Sequence, residues 1–261
     1  MVIGQELICK KIESTTVDSF PRTLMLIGDY GSGKHLLCTE ISKHLNMQIR
    51  DLTDEISLEV IDELYIRTDP FIYIIDIDKV SIKEQNMILK FIEDPLKNSY
   101  IIILTEAGAN VLATIFNRCQ QWRLHAYSKE YLNTFTDNEN ILRLATTPGQ
   151  ILDFINSDFE SLFELANKIV SKIGAANLPN ALTITNKVTT KDEKGKIPAK
   201  LLIKALVVCF RDACVNINNK NYIDAYKRTA KLAADSKIRN IDLKYLLDRY
   251  IIEVREIMRG T

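Results

Sequence analysis

Residues 23–35 read T-L-M-L-I-G-D-Y-G-S-G-K-H, and this stretch decides the fold. Leu24, Met25, Leu26 and Ile27 make a short apolar run of the kind that forms a strand buried within a sheet. Gly28, Gly31 and Gly33 break that run, and Lys34 opens an amphipathic stretch that reaches Leu45. Strand, glycine loop and helix in this order give the P-loop pattern G-x-x-x-x-G-K-[ST]. Glycines let backbone N–H groups turn inward around phosphate oxygens, the helix N-terminus adds partial positive charge, and Lys34 reaches the outer phosphates. His35 stands where the pattern needs a hydroxyl for magnesium, and imidazole is a poor ligand for so hard a cation. A glycine-rich turn that merely joins strand to helix is the competing reading, and a second site must decide.

That site is Phe71 to Lys79, F-I-Y-I-I-D-I-D-K. Its five leading apolar residues do not alternate with polar ones, as expected for a strand covered on both faces of a parallel sheet. Asp76 falls at the strand's end, where ligands sit in open α/β sheets. This is a Walker B pattern: the first carboxylate helps hold magnesium and a following acid positions the attacking water. Ile77 occupies the place where a general-base glutamate usually follows, and Asp78 lies one residue further.

The chain has 261 residues, 46% hydrophobic and 26% charged, which suits two or three ordinary globular domains. The N-terminus lacks the apolar core of a signal peptide, and no later run is long enough to span a bilayer, so no membrane association is expected and the expected location is the cytoplasm. Cys9, Cys38, Cys119, Cys209 and Cys214 are scattered without C-x-x-C spacing, which predicts reduced, mostly buried thiols and no zinc. A formal net charge of zero conceals a split. Residues 1–173 carry 17 Lys and Arg against 25 Asp and Glu, a balance of −8, and residues 174–261 carry 17 against 9, a balance of +8. The two parts could dock on each other or on neighbours in an assembly, and the charge alone supports nucleic-acid binding only weakly.

Strands and helices alternate as far as Leu124, predicting a parallel sheet with helices on both faces. Ser81 is the expected N-cap of a helix that Pro95 ends, Tyr100 to Thr105 is a further buried strand, and Asn110 to Phe116 a helix. Beyond His125 only helical patterns remain: short ones to Ile173, a hinge at Gly174 to Pro179, a polar loop at Thr189 to Lys196, and three strong C-terminal helices. The domains expected are 1–126 (α/β, nucleotide-binding), 127–173 (small helical lid) and 174–261 (all-α). Asn86, Leu89 and Phe91 read as packing residues, Trp122 as core, and His44 and His125 have no assignable role.

In this order the motifs resemble those of bacterial clamp-loader subunits of the AAA+ superfamily, most like the delta prime subunits of DNA polymerase III. Ile3-Gly4-Gln5 resembles the I-G-Q box near the adenine, and Gln85 to Pro95, Q-N-M-I-L-K-F-I-E-D-P, resembles Q-N-A-L-L-K-x-L-E-E-P. Thr105 falls at the sensor 1 position. Asn117-Arg118-Cys119-Gln120 is similar to S-R-C-Q, whose arginine reaches a neighbour's ATP site, and Thr147-Pro148-Gly149-Gln150 sits where the family has S-P-G-R. The resemblance runs from Ile3 to about Leu152, and it implies that 174–261 is an oligomerising collar.

It further implies ATP, with Mg²⁺, on Gly28, Gly31, Gly33, Lys34, His35 and Thr105, with Asp76 and Asp78 at the chemistry and Arg118 as a finger acting in trans. The implied partners are the ATPase and clamp-opening subunits of a clamp loader, a sliding clamp, and primer-template DNA through the assembly. Four departures qualify this: His35, Ile77 with Asp78, Gln150 in place of the sensor 2 arginine, and the missing four-cysteine zinc module. The first three weaken hydrolysis and leave Arg118 in place, which is the pattern of a stator in a polymerase holoenzyme. An ATPase active in its own right and a replication adaptor unrelated to clamps are the alternatives.

Overall fold

The apolar strands sort their side chains by parity. In the computed structural model, which describes residues 4–66, 69–95, 99–106, 111–184, 186, 188–189, 197–217, 219–236 and 242–260, five parallel strands run in the order β2-β3-β4-β1-β5. They are β1 (Thr23–Ile27), β2 (Gln48–Asp51), β3 (Phe71–Asp76), β4 (Tyr100–Thr105) and β5 (Gln120–Arg123). Successive strand residues face opposite sides. Leu24, Leu26, Ile72, Ile74, Ile102 and Leu104 therefore join one core layer, and Met25, Tyr73, Ile75, Ile101 and Ile103 join the other. The first layer is closed by α1 (Glu6–Glu13) and α2 (Lys34–Leu45), which contribute Ile8, Ile12, Leu37, Cys38 and Ile41. The second is closed by α3 (Leu58–Ile66), α4 (Ile82–Glu93) and the single turn α5 (Ala113–Phe116), through residues such as Leu64, Ile88, Phe91 and Ile115. Burial on both faces is why these strands carry no polar alternation.

Local signals set the ends. Asn46 ends α2 in the left-handed conformation (φ 52°). Ser81 caps α4 in a reciprocal box with Glu84, satisfying two N–H groups that the helix leaves over. Three expectations need correction. The helix expected over 110–116 starts only at Ala113, with Asn110 itself outside the described residues. Asn86 is exposed on α4 and donates back to Ile82 O at 2.9 Å, so it does not pack. The stretch expected as a hinge after Gly174 is structured: a 3-10 turn covers Ile173–Ala175, and a short helix covers Leu178–Leu182. Ile3 and residues 190–196 lie outside the described residues.

The chain divides into two compact units, one of Met1–Phe135 with Thr146–Gln150 and one of Thr136–Ala145 with Ile151–Thr261. After α6 (Lys129–Leu132), the helices are α7 (Glu139–Leu144), α8 (Pro148–Asn156), α9 (Phe159–Lys172), α10 (Leu178–Leu182), α11 (Ala199–Ile217), α12 (Lys220–Asp235) and α13 (Leu243–Arg259). Two-residue strands β6 (Val188–Thr189) and β7 (Ile197–Pro198) pair ahead of α11. In the second unit α11 packs on α9 and α12, and α12 on α13. Leu202, Leu206 and Phe210 face inward at helical spacing. Tyr250, wholly buried on α13, shares a 2.7 Å hydrogen bond with buried Thr229 on α12, so its hydroxyl is not left unpaired. Arg255 and Arg259 reach back to Ala176 O and Gly174 O at 2.7 and 2.8 Å, tying the end of α13 to the 3-10 turn.

Among the described residues no helix is long and apolar enough to cross a membrane. Among them, too, no group of His, Cys, Asp and Glu side chains gathers as a metal site.

Candidate functional site

Three backbone carbonyls of the glycine loop are held from outside. Tyr30 O accepts from Thr147 Oγ1 at 2.8 Å and from Gln150 Nε2 at 3.2 Å. Gly31 O accepts from Gly149 N–H at 3.0 Å, and Ser32 O from Tyr127 Oη at 2.8 Å. Asp29 O accepts from Ser32 N–H within the loop and from Lys34 Nζ at 3.1 Å. Gly31 and Gly33 both have positive φ, 75° and 89°, a conformation that costs an L side chain energy. Gly31 is constrained by contact as well: a Cβ there would lie 2.8 Å from Gly149 Cα. Gly28 packs at the loop's base, where a Cβ would meet Leu124 Cβ and Ser32 Oγ at 2.9 Å.

Lys34 is the first residue of α2 and donates to Gly28 O as well as Asp29 O. Burial pushes its ammonium below the usual lysine pKa, and the nearby acids Glu106, Asp78, Asp76 and Asp29 partly offset this. Lys34, Asp76 and Asp78 are thus brought together, as the two motifs imply. His35 follows on the same helix, and its backbone carbonyl accepts from Thr39 Oγ1.

At the end of β3 the chain turns through a 3-10 segment, Ile77–Lys79. That turn drives Ile77 fully into the core and sends Asp78 the other way. Asp78 accepts from Thr105 Oγ1 at 2.8 Å and from Glu106 N–H at 2.6 Å. Asp76 pairs with Lys79 at 3.2 Å, and its N–H donates to Thr53 Oγ1, which donates in turn to Asp51. Thr105 is completely buried between these groups.

Do these residues fit a nucleotide with its metal? The loop shape and the uncapped first turn of α2 suit an anionic phosphate, since a helix start leaves N–H groups without intrahelical acceptors. The metal half lacks one protein ligand. Magnesium takes oxygen ligands in near-octahedral array, several of them from water and phosphate. His35 supplies none from its side chain, while Asp76, paired with exposed Lys79, and Asp78, accepting from two donors, are the carboxylates that would face it.

Arg118 lies elsewhere in the first unit, in the turn between α5 and β5. Its side chain is 42% exposed, donates to Thr114 O at 2.8 Å, and pairs with Glu93, the last residue of α4, at 2.8 Å. Gln85, buried in α4, ties this corner together: its amide donates to Val80 O and accepts from Leu112 N–H, just ahead of α5. At the N-terminus, buried Gln5 makes a reciprocal pair with the backbone of His125, both bonds 2.9 Å. Several participants were silent in the sequence. Thr53 and Tyr127 belong to no motif, Glu93 lies in the 85–95 motif with no role assigned to it there, and Gly149 and Gln150 act here through the loop's carbonyls.

Residues 9–128 match the family model described as DNA polymerase III, delta subunit. A 59-residue stretch is 32% identical to DNA polymerase III subunit delta' of Haemophilus influenzae, covering 23% of this chain and 18% of that protein. Among solved structures, a DNA polymerase III gamma subunit-related protein of Thermotoga maritima superposes with a TM-score of 0.54 at 14% identity, over 98% of this chain and all of that one. That likeness shows the fold alone: a parallel α/β unit followed by helices. Over residues 9–128 the chain is thus similar to DNA polymerase III delta subunits, and as a whole it shares the fold of the gamma subunit-related protein.

Proposed function

We propose that the chain is a clamp-loader subunit of a replicative DNA polymerase that hydrolyses ATP poorly or not at all and lends Arg118 to a neighbouring ATPase subunit. One observation carries this reading. The chain's own site has His35 where a magnesium-binding hydroxyl is needed and core-buried Ile77 where a water-positioning glutamate is needed, whereas Arg118 stands partly exposed at the surface. A guanidinium offered across an interface offsets charge that develops on a transferred phosphoryl group. In this reading residues 1–126 are the AAA+ module, 127–173 the lid, and 174–261 the collar through which subunits assemble. The partners are ATPase and clamp-opening subunits, and through them a sliding clamp and primed DNA in the cytoplasm.

Steady-state phosphate release by the isolated protein tests the first half. The expectation is no turnover above background with ATP and magnesium, for wild type and for Lys34→Ala alike. His35→Thr alone should not restore it, because Ile77 still takes the place of the water-positioning acid. Turnover at about 1 per second or faster, in the ordinary range for enzymes, and abolished by Lys34→Ala, would make the chain an ATPase.

A further inference from the structure

Glu93 ends α4, at the negative end of a helix dipole, where a carboxylate has no favourable local partner. What it has is Arg118. Glu93 Oε1 lies 2.8 Å from Arg118 Nη2 in an ion pair while Nη1 donates to Thr114 O at 2.8 Å, so the guanidinium lies folded between the C-terminal end of α4 and the turn of α5. One of its five N–H groups is spent on Thr114 O, and its charge is paired with Glu93. Both side chains of the pair are close to half exposed, 42% for Arg118 and 47% for Glu93. An ion pair this open contributes little and costs little to break.

We propose that Glu93 is the intramolecular stand-in for an anion, a partner that Arg118 gives up when it engages phosphate oxygens on a neighbouring subunit. The proposal rests on the finger reading above and adds a residue to it. A carboxylate held 2.8 Å from the guanidinium would face incoming phosphate oxygens as a like charge, so the two anions compete for one cation. The exchange favours phosphate because a charge-assisted, two-pronged guanidinium–phosphate contact away from water is stronger than a solvent-exposed carboxylate pair. Glu93 thereby sets how tightly the finger holds and leaves what it does in the transition state unchanged. A contact strengthened equally in ground and transition states lowers KM and leaves kcat alone.

The test is steady-state ATPase of the reconstituted clamp-loader complex, with clamp and primed DNA, carrying wild type, Glu93→Gln, Arg118→Ala or both. Glu93→Gln should lower the ATP concentration for half-maximal rate about two- to five-fold, the range an exposed ion pair can supply. The shift should shrink as salt is raised, with kcat unchanged and with no added effect in the Arg118→Ala background. An unchanged KM in Glu93→Gln, or a fall in kcat like that of Arg118→Ala, would overturn the exchange and leave the finger standing. A silent Arg118→Ala would remove the finger itself and the exchange with it.

Discussion

Gly149 donates its N–H to Gly31 O at 3.0 Å, and a Cβ built on Gly149 would lie 2.5 Å from Gly31 Cα. Two glycines placed back to back join the start of α8 to the phosphate loop, and no other residue type permits that approach. The segment 146–150 belongs to the first unit in consequence, although it lies beyond α7 in the chain.

Gly149→Ala should accordingly destabilise the protein by about 1–3 kcal/mol, the usual cost of forcing a methyl group into a packed contact. In a domain of this size that is a fall in Tm of about 2–4 °C per kcal/mol. Gln150→Ala should cost a comparable amount for a different reason, since it leaves Tyr30 O and the Thr146 N–H each short of a bond. Calorimetry or denaturant melts of the two variants would check both values. A melt unchanged for Gly149→Ala would mean that the loop and α8 are not in contact.

The thiols give a second check. Burial pushes Cys38 and Cys119 up to about 12 and Cys209 up to about 11, so almost none of each is thiolate at pH 8. Cys9 is buried as well, and Cys214 is the partly exposed one, its S–H donating to Tyr222 O. Alkylation of native protein should label Cys214 first, the other four reacting only on unfolding. Peptide mass mapping over a time course reads this directly, and early labelling of Cys38 or Cys119 would contradict the packing of the sheet.

Glu253 on α13 provides a pH signature for the second unit. Burial would raise its pKa, but bonds from Arg228 and from Arg249, the latter 2.7 Å, outweigh this and hold the carboxyl below the ordinary glutamate value. A folded pKa below the unfolded one means stability that is full above the unfolded value, about 4.3, and lost as pH falls through the folded value. Melts between pH 6 and pH 3 should show this loss, and Glu253→Gln should flatten the slope in that window. A variant slope equal to that of wild type would show the two arginines to be unimportant for Glu253.

The sheet, its order of elements and the position of Lys34 between loop and helix were legible because apolar runs and glycine spacing are local signals. Trp122 as core and Ser81 as cap follow from the same logic. The bonds that hold the loop were not legible. Tyr127 and Gln150 meet the loop's carbonyls from 95 and 120 residues away, and a tyrosine in a polar stretch gives no sign of where its hydroxyl goes. The commitment of Asp78 to Thr105 was hidden for a related reason: only the 3-10 turn that buries Ile77 decides which way Asp78 points. Helix α5 came out shorter than its apolar pattern: Leu112 is extended (ψ 133°) and its N–H donates to Gln85 Oε1 at 3.0 Å. Arg118 was legible as a motif, and its pairing with Glu93 needed the fold.

The account turns on which of two cations matters in the assembled machine. The direct measurement compares Arg118→Ala with Lys34→Ala, each in the reconstituted complex with clamp and primed DNA, following ATP turnover and clamp loading. An arginine finger in trans can be worth roughly 10³-fold in rate at the site it serves. Arg118→Ala should therefore assemble normally yet lose most of the turnover contributed by its neighbour's site, and Lys34→Ala should stay near wild type. The opposite pattern, a damaging Lys34→Ala beside a silent Arg118→Ala, would contradict the account and make this subunit an ATPase in its own right.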